Sequence, residues 1–198
     1  KIVGKIPQYI YSKEEERFVE VTDLSRAFYR CTRLTTAPEI PSSVIYMNAT
    51  FAECKRLTTA PEIPNSVKEM DTTFGWCTGL TTAPEIPNSV TSIDYTFRGC
   101  TGLTTAPEIP NSVTSIDYTF YECTGLTTAP EIPNSVTSMH CIFSGCTNLT
   151  GEITINANLD GSSKWAYDRC FDGTTKPIQL TGTCTILSKL AETSSNGN

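Results

Sequence analysis

The sequence predicts a solenoid: short parallel strands stacked in right-handed coils of about 23 residues, joined by short helical turns and closed by terminal caps. Three observations carry this. The segment TGLTTAPEIPNSVTSIDYTF stands letter for letter at 78–97 and at 101–120. Phe-x-x-Cys recurs at Phe28/Cys31, Phe51/Cys54, Phe74/Cys77, Phe97/Cys100, Phe120/Cys123 and Phe143/Cys146, with a drifted Tyr167/Cys170 to follow. Within a unit, Cys77, Leu80, Ala83, Ile86, Val90, Ile93 and Phe97 fall at steps of three or four, neither a strand alternation nor a sustained helix.

Each element follows from local chemistry. Residues 1–20, with Glu14-Glu15-Glu16, lack the repeat and are assigned to an N-terminal cap, while 21–170 form the solenoid body. In each coil one short strand is expected at Leu-Thr-Thr-Ala and another near Val-Thr-Ser-Ile. Pro38, Pro61, Pro84, Pro107 and Pro130 stack at one site and cannot donate to a ladder, so pairing must stop there. Pro87-Asn88-Ser89 makes the turn between the strands. The stretch before each Cys, such as Tyr95 to Gly99, is read as a short helical turn. After Leu149, Ile153 and Ile155 alternate as in a strand. Residues 171–198 are assigned to a C-terminal cap: a strand at Ile178 to Leu180, a short helix carrying Ile186, Leu187 and Leu190, and a polar tail from Thr193 to Asn198.

Composition excludes several functions. With 15 Lys+Arg against 21 Asp+Glu, the chain of 198 residues carries −6, which disfavours nucleic acid. Apolar runs such as Val44 to Met47 fall far short of the ~20 residues of a membrane span. The single histidine, His140, sits where other coils carry Asp94 or Asp117 and is read as a drifted surface position. No nucleophile with a nearby base, phosphate loop or zinc motif accompanies it, so neither catalysis nor a metal or cofactor is expected.

The unit CTGLTTAPEIPNSVTSIDYTFRG resembles the 23-residue leucine-rich repeat of BspA-like bacterial surface proteins. The chain departs from the commoner unit in the added proline of Ala-Pro-Glu-Ile-Pro and in Asp94-Tyr95. The resemblance implies a leucine-rich-repeat solenoid that is extracellular or on the cell surface and is not an enzyme. It further implies an adhesion or binding module for an extracellular protein or glycan, a passive spacer being the alternative. Because the chain opens at Lys1, it is read as a trimmed or processed form, and localisation rests on the resemblance alone.

Three sets of residues stand out. Cys31, Cys54, Cys77, Cys100, Cys123, Cys146 and Cys170 are expected as an interior column of free thiols, since residues stacked in register point their Cβ atoms in parallel. One terminal disulfide among Cys141, Cys146, Cys170 and Cys184 stays conceivable. Glu39, Glu62, Glu85, Glu108 and Glu131 form an outward acidic column, joined by Asp71, Asp94 and Asp117. Residues 57–150 hold two basic and nine acidic residues, a net −7. Such a column reads as a solvated face, or as a docking stripe for a basic partner or cations. Finally, the two positions before each Cys vary from coil to coil while the core columns barely change. Tyr29, Trp76, Arg98 and Tyr121 are of the types enriched at binding hot spots, and are expected along one exposed edge as partner contacts.

Overall fold

The computed structural model describes residues 4–190. Its first element, absent from the sequence expectation, is an antiparallel hairpin of β1 (Tyr9–Ser12) and β2 (Arg17–Glu20), with Tyr9 opposite Glu20 and Ile10 opposite Val19. The charged residues between the strands form its turn.

From Leu24 onward, successive coils stack with like residues over like. The row Phe28, Phe51, Phe74, Phe97, Phe120, Phe143 has ring centroids 5.2–5.8 Å apart and planes within 8° of parallel. Rows of Leu, Val, Ile or Met, and Cys flank it, so each coil fills the floor of the next. No single coil encloses its own apolar face.

The two strand positions are where the sequence places them, but each shrinks to single-residue bridges. Thr36, Thr59 and Thr82 pair in parallel, as do Thr105 and Thr128. Tyr46, Glu69, Ser92, Ser115 and Ser138 form a second parallel series. Proline lies two residues beyond each bridging Thr and ends the ladder for want of an N–H. Thr58, Thr81 and Thr127 also donate their hydroxyls to carbonyls of the preceding coil, so part of the Thr array faces along the stack.

The expected helical turns are not helices. Across 95–100, alternate N–H groups point in different directions. Tyr95, Phe97 and Gly99 donate to the carbonyls of Asp117, Thr119 and Tyr121 in the next coil. Thr96, Arg98 and Cys100 donate three residues back, to Ile93, Tyr95 and Phe97. A helix would spend every donor inside the segment and leave the next coil unpaired. The alternation instead requires two left-handed residues per turn, here Tyr95 (φ 59°) and Gly99 (φ 68°).

The seventh coil departs from the sequence reading. Phe171, not Tyr167, continues the Phe row onto Phe143, at 5.9 Å, which makes the last step 28 residues. Phe143 and Gly145 donate to the carbonyls of Cys170 and Asp172, the register that earlier coils make with a 22-residue offset. Cys170 therefore leaves the cysteine column. Its Sγ donates to the Met139 and Tyr167 carbonyls, the role that Thr50 and Thr73 play with a hydroxyl, and Thr174 takes the cysteine position. Five extra residues cause the slip, and they form a loop ending in a 3-10 turn, Lys164–Tyr167. β3 (Gly151–Thr154), which precedes this loop, pairs in parallel with β4 (Ile178–Thr181), which follows it. Residues 187–190 are helical, with Leu190 buried; the polar tail lies outside the described residues.

All nine cysteines are free, and Cys31 alone is half-buried rather than interior. Cys54, Cys77, Cys100, Cys123 and Cys146 each donate to a Phe carbonyl of the preceding coil at 3.0–3.1 Å. Burial pushes the Cys54 thiol up to about 11 and that of Cys146 to about 12. Thiolate, the reactive form, is thereby suppressed. Native protein at about pH 8 is expected to give one fast equivalent with an aromatic disulfide reagent, from Cys31, and all nine after guanidinium unfolding. Several fast equivalents in the native state would contradict this packing.

Candidate binding face

Two surfaces run along the stack. On one, Glu39, Glu62, Glu85, Glu108 and Glu131 are all exposed. Shallow grooves lie beside them, lined by prolines and asparagines such as Pro64, Asn65, Asn111 and Pro133. Lys5 pairs with Glu39 at 2.7 Å and Asn156 donates to Glu131 at 2.7 Å.

The aspartates do not belong to that surface, which corrects the sequence expectation. Asp71 Oδ1 accepts from the Ser92 hydroxyl (2.7 Å) and from the Asp94 N–H (3.1 Å). Asp94 does the same for Ser115 and Asp117, and Asp117 for Ser138 and His140. Asn48 starts the series by accepting from the Asp71 N–H. The column is an internal hydrogen-bond ladder, half-buried to buried, that ties coil to coil.

Burial pushes the carboxyls of Asp71 and Asp94 upward, while the serine hydroxyl and backbone N–H pull the other way. Folding thus favours their protonated forms. Their contribution to stability is full below the ordinary carboxylate range and is lost as pH rises through the raised values. Half-buried Glu53, held low by Tyr29 and Arg30, works in the opposite sense. Asp94→Asn is therefore expected to shrink any gain in Tm between about pH 7 and about pH 5. A larger gain in the variant would refute the assignment.

His140 is likewise corrected. It is only 6% exposed, not a surface position. It occupies the next step of the aspartate ladder, where the loop of five extra residues brings Trp165 against it, rings stacked at 4.7 Å. Its Nδ1 is buried with no hydrogen-bond partner.

The second surface is built by the turn before each Cys. The position immediately before Cys is left-handed in every coil: Arg30, Glu53, Trp76, Gly99, Glu122 and Gly145. This is why glycine alternates there with large residues. The position before it varies without that restriction. Trp76 lies flat over Gly99 of the next coil, where any Cβ would collide with its indole. Arg98 in turn lies against the rings of Trp76 (5.6 Å) and Tyr121 (5.0 Å). Three of the four residues singled out from the sequence are thus brought together.

Tyr29 is not among them. Its hydroxyl donates to Glu53 at 2.9 Å, and Arg30 pairs with the same carboxylate at 3.0 Å, a separate cluster on the first two coils. Sequence reasoning missed Tyr95 and Tyr118, stacked at 4.8 Å and also against Arg98 at 5.8 and 6.0 Å. They sit inside the identical repeat, where sameness disguises them. Trp165 was hidden by the slipped register.

These coils, with their parallel bridges and stacked Phe row, define a leucine-rich repeat protein. The chain belongs to the BspA-type leucine-rich repeat family, whose profile matches six copies over residues 24–127 and 71–191. Proteins so built are generally binding or structural. Among solved structures, the fold is similar to a leucine-rich repeat protein of T. pallidum (TpLRR; 21% identity, TM-score 0.66), covering 98% of this chain and 83% of that one. It is also similar to a leucine-rich cell surface protein of Faecalibacterium prausnitzii A2-165 (23% identity, TM-score 0.66), covering 92% of this chain and 66% of that one. The chain therefore spans just under two thirds of the second protein's length. No match was found among curated proteins.

Proposed function

We propose that the chain is a non-enzymatic, surface-exposed or secreted binding module that contacts an extracellular protein or glycan along its side. The observation carrying this reading is the meeting of Trp76, Arg98 and Tyr121 on one edge, with Trp76 37% exposed. Aromatic and arginine side chains are the residues that most often dominate contact energy. Tyr29 would extend the contact at the N-terminal end. The glutamate column serves as a solvated face that keeps the stack soluble. In the same reading the coils wind right-handed, the described residues before 21 and after the seventh coil cap the body, which runs past 170 to include Phe171 and Thr174, and the Cys column, without Cys170, is structural. No helix among the described residues is long and apolar enough to cross a membrane.

The immobilised chain is to be tested against a panel of extracellular matrix proteins and glycans. At least one partner is expected to be retained, and Trp76→Ala with Tyr121→Ala is expected to weaken retention at least tenfold, as for paired hot spots. A chain that retains nothing is a passive spacer, the alternative that follows from the repeat architecture alone.

A further inference from the structure

Arg98 is one of two basic residues in 57–150, alongside nine acidic ones. In such a setting an arginine would ordinarily find a carboxylate. Among the described residues none pairs with it, and its Nε is buried with no acceptor. Asp71, Asp94 and Asp117 are committed to serines and backbone N–H groups of the ladder. Four rings surround the guanidinium instead: Trp76, Tyr95, Tyr118 and Tyr121, with centroids 5.0–6.0 Å away.

Burial pushes the three tyrosine hydroxyls upward, with Arg98 acting in the opposite direction on each. The guanidinium and the phenols therefore share one partly dried patch. A guanidinium presents a planar fork of donors that matches a carboxylate, and in a poorly hydrated setting that match is worth more than in water. The rings hold the fork by cation–π contact without using its hydrogen-bonding capacity.

The aromatic patch also has length. Tyr118 meets His140 edge-on at 5.1 Å, and His140 stacks on Trp165, which is 59% exposed. Trp76, Arg98 and Tyr118 follow one another along the stack, and buried His140 links Tyr118 to the exposed Trp165; the equivalent Phe rings of successive coils stand 5.2–5.8 Å apart. That spacing is comparable to the length of one pyranose unit. The rings of the patch pack on one another, Tyr95 face to face with Tyr118, and Tyr118 tilted against Tyr121 and edge-on to His140. Exposed aromatic surface beside an unpaired guanidinium suits sugar rings, whose C–H faces lie on such surfaces while a ring carboxylate meets the cation.

Resting on the reading of the chain as a binding module, we infer that Arg98 and its aromatic surround bind a glycan that carries isolated carboxylates, of the uronic or sialic acid kind. Arg98 takes the carboxylate, while Trp76 and Tyr121 take the neighbouring ring faces. The acidic body around this single cation repels densely charged polyanions, so the site selects sparse charge.

The test uses the full chain and a hyaluronan oligosaccharide, in which glucuronic acid alternates with a neutral sugar, beside the same oligosaccharide with its carboxyls methyl-esterified. Calorimetry should show binding of the acid form. At least tenfold weakening is expected on esterification, in Arg98→Gln and in Trp76→Ala, with partial recovery in Arg98→Lys, each variant being shown folded by circular dichroism. Equal binding of acid and ester would overturn the inference, as would no binding of the acid. Tighter binding of an acidic peptide that depends equally on Arg98 would overturn it in favour of a protein ligand. A protein retained on the panel above with no dependence on Arg98 leaves the module reading intact and removes this inference; a panel that retains nothing removes both.

Discussion

Phe97→Ala is expected to lower the unfolding free energy by about 3–5 kcal/mol, the range for truncating a fully buried phenylalanine. Phe97 has no exposed surface and lies between Phe74 and Phe120, at 5.8 Å from each, with planes within 7°. Its removal opens a cavity that neither neighbour can fill, because each is fixed by its own coil's turn hydrogen bonds. In a stack where a coil touches only its neighbours, the damage also weakens coupling between the two halves. Phe28→Ala, at a half-buried site with Phe51 on one side, should cost clearly less. Denaturant unfolding measures both. Equal losses would mean that position along the stack does not matter, contrary to the packing of the row.

Asp94→Ala is expected to cost about 1–3 kcal/mol, because it strands two donors in a half-buried ladder. The Ser115 hydroxyl and the Asp117 N–H both lose their acceptor, at 2.7 and 2.8 Å respectively. Water can reach part of the site, which holds the loss below that of Phe97. Asp94→Asn should recover most of it, since an amide oxygen accepts the same bonds. The molecule already contains that experiment: Asn48 holds the Asp71 N–H at 3.0 Å through its Oδ1. If Asp94→Asn and Asp94→Ala melted alike, the ladder would contribute nothing as a hydrogen-bonding device. Phe97 and Asp94 thus probe the two kinds of row that join the coils, one apolar and one polar.

The Phe, Leu, Val and Cys columns are legible because repetition turns one local pattern into many independent readings. Six occurrences of Phe-x-x-Cys in step cannot be satisfied by any arrangement except stacking. The seventh coil escapes that reading for a corresponding reason. Tyr167/Cys170 preserves the spacing of the motif, whereas Phe171-Asp172-Gly173-Thr174 preserves its shape, including the left-handed glycine that Phe143-Ser144-Gly145-Cys146 also carries. Geometry is maintained along the stack and spacing is not, so the second match is the physical one.

The aspartates show a different limit. Charge and periodicity mark a column, but nothing in the letters says which way it points. Asp94 turns inward because every coil leaves an N–H, that of Asp117 and its equivalents, without a backbone acceptor at that step. The four-ring surround of Arg98 is of the same kind. Trp76 and Tyr121 stand 45 positions apart in the chain and meet through an arginine between them.

The primary structure by itself determined that this protein is a stack, and which side chains form its rows, because a strict period leaves each apolar face no partner but its own copy. The tertiary structure alone decided which polar rows turn inward and how long the strands are. It also set where the register slips and what gathers around Arg98. Those outcomes depend on how the donors of one coil find acceptors in the next, a matter of distance between segments that no single repeat encodes.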